Sequence, residues 1–342
     1  MHLALDELVC TSLIRGLGGD QPSKAVPVGI GADTVHVCRA SNVLYIPQLK
    51  LQVVEDRIVP LEAIAYAWYL DLEKRITFGT ERAAPYRQEF AVHERQEDVC
   101  ILSNFYSRVF AHSVDELIKV IILERHGFEG TYVFSNAPKY SIELLKLVGV
   151  PESRIVTDVA EATIFRSCYY STPLNREDAL NYPDVFLELR RTLLAAAGKE
   201  SSFGRRLWMT RGVGAQTTRR NLLVNEEEIY QCLNNHGFQI IDPGSMPVAS
   251  QIATMRNAEV ISGPHGSAFI HSMFMDEGST VVECFSPNRI NPSIIELCRL
   301  LKHRYFMLVD TNTHSWRYPH GEHLSVNCSH LELVLGNLER ER

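Results

Sequence analysis

The sequence predicts an α/β fold in which a β-rich N-terminal lead-in precedes two Rossmann-like, doubly wound domains. Short apolar runs such as TVVECF at 280–285 alternate with longer segments of helical periodicity, which is typical of parallel strands covered on both faces. The chain has 342 residues, enough for about two domains. A Gly/Ser/Lys-rich stretch at 198–204 separates two such regions. We therefore expect domains at 1–195 and 200–320, followed by a C-terminal segment at 321–342.

The C-terminal half shows the alternation most clearly. We predict strands at about 205–210, 238–241, 259–263, 280–285 and 304–309. Helices are expected at about 226–236, 247–257, 266–275 and 292–302, and a last helix at about 329–340 should pack back toward the first domain. Asn225 precedes the first of these helices and Glu228 follows three residues later, a spacing that resembles a capping box.

The middle section repeats this rhythm. We predict strands at about 98–103, 131–135, 154–158 and 168–172, and helices at about 113–126, 138–149 and 176–198. Residues 25–75 carry short β-like runs with turn residues between them, so we expect a β-rich lead-in attached to the first domain.

Composition narrows the function classes. The formal net charge is −7 and no basic stripe is visible, which argues against a nucleic-acid partner. The eight cysteines form no CxxC pair, as expected of buried thiols in a reducing compartment. The sequence shows no signal peptide and no apolar run of the ~20 residues that would cross a bilayer. We expect a soluble, cytoplasmic protein, with peripheral membrane association and oligomeric state left open.

The segment ISGPHGSAF at 261–269 is the first candidate for chemistry. Gly263 and His265 end a predicted strand, and Gly266 and Ser267 open the next helix. Backbone N–H groups at such a turn, together with the positive helix end, favour a phosphate group. His265 could add a hydrogen bond to a departing diphosphate. The alternative is a tight structural turn.

Two further segments carry candidate side chains. Arg211 follows a predicted strand, and the glycine-bearing loop after it contains Arg219. The planar guanidinium group suits phosphate oxygens, although a solvated basic loop would have the same composition.

His112 and Glu116 lie four residues apart, on one face of a predicted helix. Such a pair could abstract a proton, or it could be a surface pair without a role in catalysis.

Taken together, residues 205–287 resemble glycosyltransferase family 61. The resemblance rests on Arg211 after the first strand, an arginine-rich loop leading to Asn-Glu, Gly-Phe before a strand, the Gly-Pro-His-Gly-Ser-Ala turn and a strand with Glu283 near its end. The family's His-x-x-x-Glu/Asp element matches His112 and Glu116. The chain departs from the family at His271, where many members have Asn.

The resemblance implies a GT-B fold, in which two Rossmann-like domains face each other, and an inverting transferase that uses a nucleotide-sugar donor and no essential metal or other cofactor. Arg211, Arg219, His265 and the Gly263–Ser267 turn would hold the donor diphosphate, and Glu283 would reach the nucleotide. Glu116 would be the acceptor base, with His112 as its partner. The acceptor would be a glycan or lipid-linked glycan in surface-polysaccharide assembly, and the sugar transferred a hexose or pentose.

One alternative function remains open at this point: a catalytically inactive nucleotide-binding regulatory or scaffolding protein would share this fold. The histidines at 314–323 match no standard metal-ligand spacing, so we predict no metal site.

Overall fold

The computed structural model describes residues 26–30, 33–48, 51–54, 57–58, 91–102, 110–171, 183–210, 222–287, 290, 294–309 and 323–340. The chain divides into two compact units, Met1–Leu189 and Arg190–Arg342. Its strands belong to separate sheets rather than to one continuous sheet. The expected mixed α/β fold with parallel sheets is confirmed.

The first unit is built on one mixed sheet. Its described strands are β1 (Val26–Ile30), β2 (Asp33–Ile46), β3 (Leu51–Val54), β4 (Arg57–Ile58), β5 (Val92–Ile101), β6 (Thr131–Val133), β7 (Ile155–Val156) and β8 (Ala162–Ser171). The order is β4-β3-β2-β8-β5-β6-β7, with β1 paired to β2. Strands β8, β5, β6 and β7 are parallel, whereas the strands of the predicted β-rich lead-in join the same sheet in antiparallel pairs.

Helices follow the parallel strands of this unit. They are α1 (Phe110–Arg125), α2 (Lys139–Leu147), a 3₁₀ turn at Glu152–Arg154 and α3 (Pro183–Ala196), which runs past the boundary into the second unit. Helix α1 is buried at every position from 113 to 123. A helix covered on all sides is expected to be wholly apolar, yet α1 contains Asp115, Glu116 and Lys119, so these charges need partners inside the protein.

The second unit contains the parallel sheet that the C-terminal half predicts. Its strands are β9 (Arg206–Met209), β11 (Gln239–Ile241), β12 (Val260–Pro264), β13 (Thr280–Phe285) and β14 (Arg304–Val309), in the order β11-β9-β12-β13-β14. The first strand of this sheet therefore lies between the second and the third. In doubly wound sheets of this order, connections leave the first and third strands in opposite directions, which opens a crevice at their carboxyl ends.

The remaining elements of this unit cover the sheet. They are β10 (Leu222–Leu223), α4 (Glu226–Asn235), a 3₁₀ turn (Pro243–Ser245), α5 (Val248–Asn257), a 3₁₀ helix (Ser267–Phe274), α6 (Ile295–Leu300), β15 (His323–Leu324) and α7 (Cys328–Arg340). The α-helix expected at 266–275 is thus a 3₁₀ helix. Helix α7 places Leu331, Leu335 and Leu338 in the core of this unit, beside Trp208 and Ile229. That it also packs toward the first domain stays a prediction.

Asn225 does not act as the capping box predicts. Its side chain makes no capping bond. Instead, Nδ2 donates to Val326 O at 2.8 Å and to Glu228 Oε2 at 3.0 Å, and Oδ1 accepts from Val326 N at 3.1 Å. The amide thus extends the short β10–β15 pairing by imitating a backbone group. A sequence spacing of three residues could not reveal a partner 101 residues away.

Candidate functional site

Gly263 brings β12 unusually close to β9 at the crevice. Its φ is +155°, and an added Cβ would lie 2.5 Å from Met209 O. A side chain is therefore excluded both by backbone conformation and by space. The next residue but one, His265, donates its backbone N–H to Cys284 O at 2.8 Å. That N–H group extends the β12–β13 ladder and is not available to a ligand.

The N–H groups that remain lie at the start of the 3₁₀ helix Ser267–Phe274. Phe269 N donates to Gly266 O at 3.0 Å. Among the residues that the structure describes, the backbone N–H groups of Ser267 and Ala268 have no acceptor. Unsatisfied donors at a helix start are a ready site for an anion.

The other end of this 3₁₀ helix is held by Arg190 of α3. Its Nε donates to Met273 O at 2.6 Å and its Nη2 to Met275 O at 2.9 Å. Burial lowers the pKa of Arg190. A cation at the carbonyl end opposes the partial negative charge there. Sequence reasoning missed this residue, because nothing local to Arg190 indicates which carbonyls it meets.

A buried carboxylate orients His265. Glu283 Oε1 lies 2.6 Å from His265 Nδ1, and Tyr305 OH donates to Glu283 Oε2 at 2.8 Å. The Glu283 side chain is 0% exposed, that of His265 12%. The His265 ring also stacks on Phe285, with centroids 4.6 Å apart. Glu283 thus fixes Nδ1 and with it the orientation of the ring.

The two hydrogen bonds of Glu283 bear on the role that the sequence predicts for it. Both of its oxygens accept bonds from protein side chains, and it is fully buried. Glu283 is thus placed to act on a ligand through the side chains that it holds, and its predicted contact with the nucleotide stays a prediction. Burial, reinforced by the charge of Glu283, raises the pKa of Tyr305, so the phenol stays a donor. The register that pairs Gly263 with Glu283 across β12 and β13 is the signal that could have revealed the His265 contact.

The His271 ring is buried, and both of its nitrogens lie within hydrogen-bond distance of protein oxygens. It is 2% exposed, with Nδ1 2.7 Å from Ala268 O and Nε2 2.7 Å from Gln251 Oε1. Burial lowers its pKa to about 4, so the ring is neutral at physiological pH. Gln251 Nε2 donates to Met246 O at 2.8 Å, which turns Oε1 toward the ring, so the neutral ring of His271 can donate to Gln251 through Nε2.

The arginine-rich loop lies outside the described residues. Arg211 and Arg219 fall within 211–221, so their roles stay predictions. The described flanks show where this loop begins and ends. It leaves the carboxyl end of β9 after Thr210, whose N–H donates to Ile241 O at 2.8 Å, and returns in β10, which pairs with β15.

The first unit holds the other predicted residues on α1. Glu116 is 1% exposed and its Oε2 lies 3.3 Å from Lys119 Nζ, which is also buried. His112 lies one turn earlier in the helix, and its side chain is outside the described part. The i, i+3 spacing of Glu116 and Lys119 is the sequence signal that could have revealed this pair.

The following statements on metal sites and membrane-spanning helices concern only the residues that the structure describes. They contain no group of three or more His, Cys, Asp or Glu side chains placed to hold a metal ion. None of their helices combines the length and apolar character needed to cross a membrane.

One comparison with known proteins agrees with the sequence motifs. The family model described as Glycosyltransferase 61 matches residues 110–282, half of the chain, a range that includes α1 and His265 and ends one residue before Glu283. Among solved structures, a bacterial iron-containing dodecameric glycosyltransferase, TibC from enterotoxigenic E. coli, is 10% identical with a TM-score of 0.30, over 77% of this chain and 78% of that one. The comparison with curated proteins gives no match.

Proposed function

This chain belongs to glycosyltransferase family 61, and we propose that it transfers a sugar from a nucleotide-sugar donor to an acceptor hydroxyl with inversion at the anomeric carbon. The observation that carries the proposal is the position of His265. It follows β12, the third strand of the parallel sheet, and is bonded to buried Glu283 at 2.6 Å. The donor N–H groups of Ser267 and Ala268 come directly after it.

These groups suit the leaving diphosphate. Charge develops on that group as the glycosidic bond breaks, and preorganised donors stabilise developing charge most effectively. His265 Nε2 and the two N–H groups would bind the phosphate nearest the sugar. Arg211 and Arg219 are proposed, from the family resemblance, to neutralise the rest of the diphosphate. With this many cationic and N–H donors, the reaction as proposed needs no metal or other cofactor.

Acceptor activation is proposed for α1. Inversion in one step requires a base behind the acceptor oxygen, and Glu116, with His112 as its partner, is our candidate. Lys119 Nζ lies 3.3 Å from Glu116 Oε2 and would offset the charge of the buried carboxylate.

The finer features that we expected are proposals of the same standing. They are the GT-B arrangement, a nucleotide-sugar donor carrying a hexose or pentose, and a glycan or lipid-linked acceptor in surface-polysaccharide synthesis. Transfer at the cytoplasmic side of a membrane, with peripheral attachment, belongs with them. All of these rest on the family resemblance.

Donor binding can be tested by thermal shift with a panel of UDP-, GDP-, CDP- and dTDP-sugars. A ligand that binds only the folded state stabilises it, by ~2.7 kcal/mol at 100 times its Kd. One nucleotide should raise Tm for the wild type and far less for His265→Ala. His330→Ala, an exposed histidine on α7, is the matched control and should respond like the wild type.

Turnover then separates the enzyme from an inactive binding protein. Release of the nucleoside diphosphate should accompany transfer to an acceptor glycan. If His265→Ala responds to the donor as strongly as the wild type does, the diphosphate site is elsewhere. Strong donor binding with no release of diphosphate in any acceptor mixture would favour the regulatory alternative.

A further inference from the structure

The first unit contains a cavity that the proposed chemistry does not use. It has a volume of about 630 Å³ and lies at the turn from α1 to β6. Glu97 and Asp98 of β5, Phe128 and Glu129 of the turn, and Arg166 and Tyr169 of β8 supply its side chains. We call it the α1–β6 cavity. Pockets of this size bind small ligands or short segments of larger ones.

The cavity is remote from the proposed base. Helix α1 runs from Phe110 to Arg125, and the cavity begins around its C-terminal end, at Leu123 and His126. Glu116 lies ten residues before His126, about 15 Å along the helix axis. A ligand in the cavity therefore occupies a second site.

The turn that forms one wall is fixed by Arg154. Its Nε donates to Gly130 O at 2.8 Å and its Nη2 to Phe128 O at 2.5 Å. Glu124 accepts two further bonds from the same guanidinium, at 3.1 and 2.8 Å. Gly130 is pressed against β5, since an added Cβ would clash with Asp98 O and lie 2.5 Å from the Phe128 ring. A wall fixed in this way loses little conformational freedom on binding.

The strand side of the cavity carries a fixed ion pair. Arg166 donates to Asp98 Oδ1 through Nε at 3.1 Å and Nη2 at 2.7 Å. Burial acts to raise the pKa of Asp98, but hydrogen bonds from Arg166 and Ser167 outweigh it and lower the pKa. Tyr169 stands beside them, half-buried, with its ring centroid 5.0 Å from that of Phe128.

The charges of the lining select the ligand class. The lining holds three carboxylates, Glu97, Asp98 and Glu129, and one guanidinium. Burial, reinforced by Arg125, lowers the pKa of His126, which keeps that ring neutral. Two arginines lie outside the lining: Arg95 Nη1 is 4.0 Å from Glu97 Oε2, and the Arg39 guanidinium lies 5.9 Å from the Tyr169 ring centroid and is bonded to Ser167 at 3.0 and 2.6 Å. The lining therefore offers no surplus of positive charge to phosphates or sulfates.

Neutral sugars fit what remains. A carboxylate can accept two hydrogen bonds at once, as neighbouring sugar hydroxyls offer them, and the Arg166–Asp98 pair presents donors and acceptors side by side. Tyr169 gives an apolar ring with a polar tip, which matches the mixed faces of a pyranose. We propose that the α1–β6 cavity binds a neutral oligosaccharide at a site separate from the transfer reaction.

The test measures binding alone and so does not depend on transferase activity. The full-length protein is applied to an array of neutral, carboxylated, sulfated and phosphorylated oligosaccharides, and hits are quantified by calorimetry. We expect neutral glycans to bind. Glu97→Gln and Tyr169→Ala should each weaken binding at least tenfold, with Tm near that of the wild type. Glu94→Gln, an exposed carboxylate on the same strand but outside the cavity, is the matched control and should bind as the wild type does.

Three results would overturn the inference: no neutral glycan bound by the wild type, a preference for anionic glycans, or binding that survives both cavity variants. If Tyr169→Ala does not fold, Glu97→Gln decides, because its side chain is exposed. A negative result here leaves nucleotide binding at His265 untouched, since the two assays use different ligands.

Discussion

Glu283 Oε1 lies 2.6 Å from His265 Nδ1, and the carboxylate that makes this contact is fully buried. Glu283→Gln preserves the shape of the side chain and an oxygen that can accept from Nδ1, but it removes the negative charge. Because hydrogen bonds to charged groups are worth about 1.5–3 kcal/mol, we expect kcat/KM for the donor to fall by roughly 10- to 100-fold. Steady-state kinetics with a saturating acceptor measures this.

Tyr305→Phe is the control for that variant. It removes the bond to Glu283 Oε2 and leaves the His265 contact in place, so the loss should be smaller. A Tyr305→Phe enzyme more impaired than Glu283→Gln would show that the charge on Glu283 is not what matters.

Gly263 should not tolerate a side chain. Gly263→Ala combines a strained positive φ with a Cβ 2.5 Å from Met209 O, and strain of the first kind alone costs about 1–3 kcal/mol. We expect the free energy of unfolding to fall by at least about 2 kcal/mol, measured by urea denaturation.

Gly336→Ala gives the opposite expectation and so controls for glycine replacement in general. Gly336 lies inside α7, and an added Cβ there meets no atom within 4 Å. Alanine is the better helix former by about 1 kcal/mol, so this variant should be more stable than the wild type. Equal effects of the two replacements would show that the close approach of β9 and β12 has no energetic consequence.

Local patterns predicted the second unit well for a physical reason. β13 and β14 begin and end where the sequence suggested, at Thr280–Phe285 and Arg304–Val309. Parallel strands buried on both faces are continuous apolar runs, and such runs end where polar turn residues begin. β8 is the counterexample: it starts at Ala162, six residues earlier than expected, because Arg166 and two Ser/Thr residues interrupt its apolar character.

Contacts across long stretches of chain were beyond prediction. The segment Ser267–Phe274 is a 3₁₀ helix, and Arg190 donates hydrogen bonds to its carbonyl end. Arg190 lies 83 residues before its acceptor Met273 in the sequence. The position of the His265 turn was predicted because glycines and a strand end mark it locally. Its hydrogen-bond partner was not predicted, since Glu283 belongs to another strand.

Arg190 should stabilise the 3₁₀ helix and, through it, the anion site. Arg190→Ala removes two charge-assisted bonds, each worth about 1.5–3 kcal/mol. We expect lower stability in urea together with weaker donor binding by calorimetry. Arg191→Ala, the exposed neighbour on the same helix, should change neither. Loss of stability with unchanged donor affinity would limit Arg190 to a structural role.

His271 predicts a pH dependence of stability. Its pKa falls from 6.5 to about 4 in the folded protein, so on acidification the unfolded chain takes up the proton first. The contribution is fully present above pH 6.5 and is lost as the pH falls toward 4, amounting to about 3 kcal/mol. His271→Asn should flatten the unfolding free energy between these pH values. Unchanged pH dependence in that variant would assign the effect to other groups, such as His303, whose pKa burial also lowers.

Replacing Glu116 distinguishes two roles for this buried carboxylate, one in catalysis and one in stability. Glu116→Gln keeps the shape and removes the basic oxygen. If Glu116 is the acceptor base, turnover should fall by about 10²–10⁴-fold while donor affinity stays near that of the wild type.

If Glu116 serves only the ion pair with Lys119, the expected cost is stability, because removing one partner leaves the other charge buried. In that case turnover per folded molecule is unchanged, and adding Lys119→Met should recover stability in the double variant. Asp115→Asn is the matched control: Asp115 is equally buried but projects about 100° away around the helix. A larger loss of turnover in Asp115→Asn than in Glu116→Gln would move the base to Asp115.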